Sequence, residues 1–332
     1  MRDALPGVAV RAAALALGVV VLLWLPTYVS DFRQEQFALV GMWFMAILGQ
    51  NIVTGYAGQI SLGHGAFMMI GAYTTAILVG HYGWTHGYKL ATIPVAGAIA
   101  FGAGALVGLP ALRLSGLYVA LVTFALAVAL PQFVTKWPHF TGGTSGLPLS
   151  YSDIPGNHYL YVVSWSCAAI CFVLAWLLLR GRTGRAFRSI RDSEIAAVSA
   201  GVSLPVYKTF AFAVSAAFAG IAGAVYAIIS NIESPQNFPL SVSINLVVGA
   251  AVAGFGSLWG IWVGAILLEF LPIWSQSAPG LGQNAPAVVQ GLILILVMFI
   301  IPGGFAGLLR ELARLPSRAR AFGATNFART ES

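Results

Sequence analysis

The chain has 332 residues, of which 58% are apolar and 8% charged, with a formal net charge of +7. A soluble domain covers its surface with about 25% charged residues, so a water-soluble fold is excluded. The Lys and Arg residues lie on loops and tails between apolar runs, where they report orientation across a membrane and not a nucleic-acid surface.

A membrane-crossing helix takes about 20 apolar residues. Val8 to Tyr28 is the first such run. Arg2 and Arg11 resemble the start of a signal peptide, but Trp24-Leu25-Pro26 carries no small-x-small cleavage pattern, which predicts an uncleaved span. From Phe37 to Gly80 there is no Lys, Arg, Asp or Glu, enough for two spans, and GYAGQISLGHG (Gly55 to Gly65) interrupts the run. Polar, Gly-rich backbone at this depth is tolerated only inside protein or beside a water-filled cavity. Ala91 to Leu112, Leu114 to Thr135 and His158 to Leu179 cross next, with Pro131 kinking the second of these. An outside loop from Lys136 to Asn157 contains TGGTSGLP, Thr141 to Pro148.

Arg180 to Lys208 then gathers Arg180, Arg182, Arg185, Arg188, Arg191 and Lys208 between two apolar stretches. A short loop so basic stays on the cytoplasmic side. It reads as helix, stop and new helix: Thr183 and Ser189 as N-caps, Gly201 as the residue just past a helix end, and Ser203 with Pro205 as the next start. Phe187, Ile190, Ala197 and Val198 fall near one face, with Arg185, Arg188 and Arg191 off it. The pattern fits a docking surface for a soluble partner and, equally, a solvated basic loop.

Thr209 to Asn231 is an Ala- and Gly-rich span suited to close helix contact. Glu233 to Pro239 is an outside loop, and Leu240 to Trp274 is a second Gly-interrupted run, which holds Glu269 near an outer helix end. Ala285 to Ile301 is the last crossing, before a tail carrying Arg310, Arg314, Arg318, Arg320 and Arg329. The sum is ten crossings, six before the basic loop and four after, with both termini cytoplasmic. Gly-broken segments in corresponding places of two halves point to a transport site near the midplane, although helix packing by small residues explains the same glycines. Cys167 and Cys171 sit in an apolar run and read as packing residues.

GYAGQISLGHGAFMMIGAY (55–73), LRLSGLYVALVTFALA (112–127), TGGTSGL (141–147), GRAFRSIRDSEIAAVSAGV (184–202) and GFGSLWGIWVGA (254–265) resemble the branched-chain amino acid ABC transporter permeases of the LivM type. The resemblance covers roughly residues 35 to 305 and implies an all-α permease of about ten transmembrane helices in two loosely related halves. It divides the chain into an N-terminal tail and first helix (1–35), a permease core (36–305) with a cytoplasmic coupling loop (181–207), and a basic tail (306–332). It implies a bacterial inner-membrane importer of branched-chain amino acids working by alternating access. Its partners are a second related permease, two ABC ATPase subunits and a periplasmic or lipid-anchored solute-binding protein. Related permeases carry urea or short amides. The EAA…G pattern of such importers is present in looser form as Glu194-Ile195-Ala196-Ala197 with Gly201, one residue being inserted after the Glu. The coupling set is then Arg185, Arg188, Arg191, Asp192, Glu194 and Gly201, whose charges are expected to pair across the ATPase interface. Gly55, Gln59, Ser61, His64 and Asn245 are the candidates for the translocation path.

No Gly-Lys pair is present, so the phosphate-cradling loop of an ATPase is missing and ATP hydrolysis falls to a partner. No cofactor or metal is implied. An ion-coupled carrier would place ionisable groups in the membrane. Only His64, expected to hydrogen-bond within the break, and Glu269, expected to reach the interface, qualify. Gly143-Thr144-Ser145-Gly146 matches an intramembrane serine-protease string, but no His lies beyond His158 to activate the serine.

Overall fold

Apolar runs in hydrocarbon satisfy their backbone internally, which here means helices. The computed structural model describes residues 30–84, 86–111, 116–149 and 156–276, with isolated positions between 288 and 307. The expected first span, 8–28, lies outside the described residues, as do the arginines of the tail and nearly all of the expected last crossing, 285–301.

In chain order the helices are α1 (Asp31–Gln50), running into a wide π turn over Asn51–Tyr56, α2 (His64–Gly80), α3 (Thr92–Ala111), α4 (Leu117–Thr135) and a single turn, α5 (Pro138–Thr141). After strand β1 (Leu147–Pro148) come α6 (Asn157–Arg180), α7 (Arg182–Asp192), α8 (Glu194–Ser199) and α9 (Leu204–Ser230). Strand β2 (Ile232–Glu233), α10 (Leu240–Ala253) and α11 (Ile261–Gln276) follow. Among the described residues, six stretches are long and apolar enough to cross a membrane: Asp31–Tyr56, Lys89–Leu109, Tyr118–Thr135, Asn157–Arg180, Leu204–Ser230 and Pro235–Ala253. His64–Gly80 and Ile261–Ser275 are shorter apolar helices. Each Gly-interrupted run therefore resolves into one full-length and one short helix. At 1.5 Å per residue the 17 residues of α2 extend about 26 Å, a little under the hydrocarbon thickness.

The bundle is organised around α9, which packs on α3, α2 and α1. More than half of its buried residues are Ala or Gly, so backbones meet directly. A Cβ on Gly71 of α2 would collide with the Gly220 carbonyl, and one on Gly223 with the backbone of Met68. Gly97 faces Ile221 while Gly104 faces Ala216, so α3 runs antiparallel to α9.

At one end of the bundle, β1 pairs antiparallel with β2, Leu147 opposite Glu233 and Pro148 opposite Ile232. Gly142, Gly143 and Gly146 take positive φ to bring the TGGTSGLP loop into that pairing. At the opposite end, α7 and α8 form the basic loop. Two expectations there are corrected. Thr183 and Ser189 lie inside α7 and do not cap it, because the helix starts straight off Gly181, with Gly184 pressed on the backbone of Leu179. The capping side chain is Ser193, which accepts from the Ala196 N–H at 3.3 Å. Phe187, Ile190 and Ala197 are buried as expected, but Val198 is 54% exposed. Gly201 (φ +81°) ends α8, its N–H bonding to Val198 O and that of Val202 to Ala197 O; Ser203 and Pro205 open α9.

Candidate functional site

The π turn at the end of α1 releases the chain into seven irregular residues, Ala57 to Gly63, whose backbone needs partners. Two amides in the apolar helix provide them. Gln50 donates to Ser61 O at 2.9 Å and to Thr54 Oγ1 at 3.0 Å. Asn51 Nδ2 donates to Ser257 O at 2.7 Å, while its Oδ1 accepts from the Gly256 N–H at 2.8 Å. Gly256 and Ser257 belong to the other interruption, between α10 and α11. The two broken segments, some 200 positions apart in sequence, are thus closed on each other by one fully buried side chain.

Deeper in the bundle, the break draws on three neighbouring helices. Thr123 of α4 accepts from the Leu62 N–H at 2.9 Å, and Ser243 of α10 accepts from the Gly65 N–H at 2.9 Å. His64 spans Ser61 Oγ (3.2 Å, Nδ1) and Ser215 Oγ of α9 (2.5 Å, Nε2), with its ring fully buried. Both ring nitrogens are committed, which is the hydrogen-bonding role expected for it. Of the path candidates, Gly55, Gln59, Ser61 and His64 are buried in this polar core, whereas Asn245 stands apart, partly exposed on α10. Glu269, partly buried in the middle of α11, accepts from the Trp43 indole N–H at 3.1 Å.

The basic loop meets the same corner. Arg191, though exposed, has its Nη1 donating to Gly55 O at 2.5 Å. Its stem lies on Gly58, where a Cβ would come within 3.1 Å of Arg191 Cγ. Glu194 also bonds within the chain, to Lys208 Nζ at 2.7 Å. Phe187 anchors α7 to α9 by edge-on contact with Tyr207, ring centroids 6.4 Å apart. Of the coupling candidates, Arg191 and Glu194 thus bond inside the protein and Gly201 supplies a turn. Arg185, Arg188 and Asp192 are exposed, along with Arg182, and Arg191 is exposed too despite its bond to Gly55. Beside them Ile195 is 83% exposed, on the same helix as Val198. Sequence reasoning missed Gln50, Asn51 and Ile195. The signal for the first two was a pair of amides in a run without charge, four residues before Gly55.

Residues 34–301 match the family described as "Branched-chain amino acid transport system / permease component". The chain is 30% identical to the high-affinity branched-chain amino acid transport system permease protein LivM of Escherichia coli K12, over 92% of this chain and 77% of that protein. It is 29% identical to LivM of Salmonella typhimurium, over 91% and 76% respectively. LivH of Escherichia coli K12 is 23% identical over 83% of this chain and 96% of its own length. No solved structure matches. The family match takes in both glycine breaks and the basic loop: this multi-pass membrane protein belongs to the branched-chain amino acid transport permeases.

Proposed function

We propose that this chain is a permease subunit of an ATP-driven importer for branched-chain amino acids in the bacterial inner membrane. Its basic loop and both termini face the cytoplasm. It works beside a second related permease and is driven by two ATPase subunits, and a solute-binding protein delivers the amino acid to its outer face. The substrate class comes from the names of its relatives LivM and LivH. The absence of a Gly-Lys phosphate loop leaves hydrolysis to other polypeptides.

One observation carries the reading. The basic loop is a folded pair of helices presenting Arg182, Arg185 and Arg188 beside Ile195 and Val198. Exposed apolar side chains on a capped helix, in a loop rich in exposed charge, suit a protein-docking surface. That surface is fixed to the bundle through Phe187 and through the bonds of Arg191 and Glu194. A movement of a docked ATPase therefore reaches the spans on either side and drives alternating access. Tight selection of the amino acid falls to the binding protein, since a tight site in the pore would slow release.

The test uses the assembled complex in proteoliposomes. Arg185→Glu with Arg188→Glu, or Ile195→Asp, is expected to strip the ATPase from the purified complex; loss of a central apolar anchor costs about 2 kcal/mol or more. Retention of the ATPase and of binding-protein-stimulated hydrolysis in both variants would move the docking surface elsewhere. Leucine uptake that proceeds without nucleotide would remove the ATP-driven reading, and urea uptake in place of leucine would remove the substrate.

A further inference from the structure

Arg191 lies on the loop assigned to the ATPase and is exposed as a residue, yet one of its guanidinium nitrogens is spent inside the chain. Nη1 reaches Gly55 O in the first break and lies 2.8 Å from where a Cβ on Gly256 of the second break would stand. Gly58 accommodates the Arg191 stem. Gly58 and Gly256 hold φ of +71° and +78°, where glycine is favoured. Glycines from two remote segments thus leave room for one arginine. Capping of an unpaired carbonyl at the end of α1 explains the bond to Gly55. It does not explain the fit against Gly256, nor why Asn51, one turn before Gly55, bonds to Gly256 and Ser257.

We propose that Arg191 and Asn51 form a two-part latch that passes a displacement of the basic loop to both interrupted helix pairs at once. Arg191 is then a positioning residue for transport and not a contact for the ATPase. The inference rests on the docking role of the loop and adds the route by which motion leaves it. A hydrogen bond tolerates only a few tenths of an ångström before it weakens, so a shift of α7 either carries Gly55 along or breaks the bond to it. Gly55 moves with the π turn that holds Asn51. Asn51 carries the Gly256-Ser257 segment, and with it the junction of α10 and α11. Since Asn51 is fully buried, it reaches no docking partner by itself.

The latch is tested in the complete complex, reconstituted with both ATPases, the second permease and the binding protein. Three quantities are read: ATPase retained on purification, ATP hydrolysis, and leucine taken up per ATP hydrolysed. Arg191→Gln and Asn51→Leu are expected to keep the ATPase bound while uptake per ATP falls about tenfold, the weight of one charge-assisted hydrogen bond at Arg191 and of two neutral ones at Asn51. The double variant is expected to be no worse than the worse single one, because both residues act in one linkage. Arg191→Lys, which keeps one charged donor, is expected to recover part of the loss, and it carries the test if Arg191→Gln does not assemble. A complex that loses its ATPase on Arg191→Gln would make Arg191 a docking residue and overturn the latch. Uptake and hydrolysis falling together, in proportion to assembled complex, would reduce both residues to packing and overturn it as well. Failure of the docking reading itself is visible separately, as ATPase retention in the Arg185/Arg188 and Ile195 variants.

Discussion

Glu194 and Lys208 give the sharpest energetic test of the basic loop. The Lys208 side chain is 4% exposed, and its ammonium meets a Glu194 carboxylate that is 40% exposed. Glu194→Gln leaves the ammonium buried without its counter-charge. Breaking a fully buried pair from one side costs about 3–5 kcal/mol. Water already screens the carboxylate, so the loss here is discounted to roughly 1–2 kcal/mol. Glu194→Lys sets a second cation against the first and costs more. Lys208→Met combined with Glu194→Gln removes the stranded charge and keeps an unbranched side chain, so stability returns to within about 0.5 kcal/mol of the parent.

Thermal unfolding of the detergent-solubilised complex reads these differences, and leucine uptake in proteoliposomes reads their consequence. A carboxylate that serves only to hold α8 against α9 is dispensable once Lys208 is gone, so the double variant regains uptake along with stability. A carboxylate that meets the ATPase is not dispensable, and the double variant stays inactive though stable. If Glu194→Gln leaves the unfolding temperature unchanged, or the double variant is as unstable as the single, the buried-charge argument is wrong.

Gly71→Ala is expected to destabilise by roughly 1–3 kcal/mol, because the new methyl meets the backbone of Gly220 and cannot be relieved by a rotamer change. Gly102→Ala on α3 has open space around it and is expected to be neutral or stabilising by up to about 1 kcal/mol. Equal unfolding temperatures for the two would contradict the close packing on α9. At the β1–β2 pairing, burial pushes the Glu233 carboxyl up from 4.5 to about 8, against the pull of hydrogen bonds from Ser230 and Asn237. The folded protein keeps a proton that the unfolded chain releases, so stability is highest at acid pH and is lost as pH rises from about 4.5 to about 8. Glu233→Gln is expected to flatten that slope in melting scans, and a parent protein that gains stability with pH over the same window would refute the protonation account.

The long spans were legible because a stretch without charge has few other fates, and the ends of α8 and the start of α9 were legible because Gly201, Ser203 and Pro205 act through local backbone geometry. Both interruptions were visible as glycines with polar residues in apolar runs. Their mutual contact was not visible, since Asn51 finds its partners some 200 positions away. Local reasoning failed at Thr183 and Ser189, where close packing of Gly184 on Leu179 starts α7 earlier than capping preference suggests. It failed at Val198, which shares a helix with buried Ala197 but is exposed. Charge counting treats the loop arginines alike, and nothing near Arg191 in sequence marks it as the one that bonds to Gly55.

The two interruptions and the basic loop are physically one arrangement. In an unbroken membrane helix nearly every carbonyl and N–H is spent within the helix, so a neighbouring side chain can grip only other side chains. Apolar contacts of that kind have no preferred direction along the surface and transmit a push poorly. Where a helix stops, its last carbonyls and the N–H groups of the following turn become available. Gly55 O, the Gly256 N–H and Ser257 O are groups of this sort, and Arg191 and Asn51 take all three. A directional hold on backbone, which the basic loop needs if it is to move spans on both sides, is therefore possible at this corner because both helix pairs are broken there.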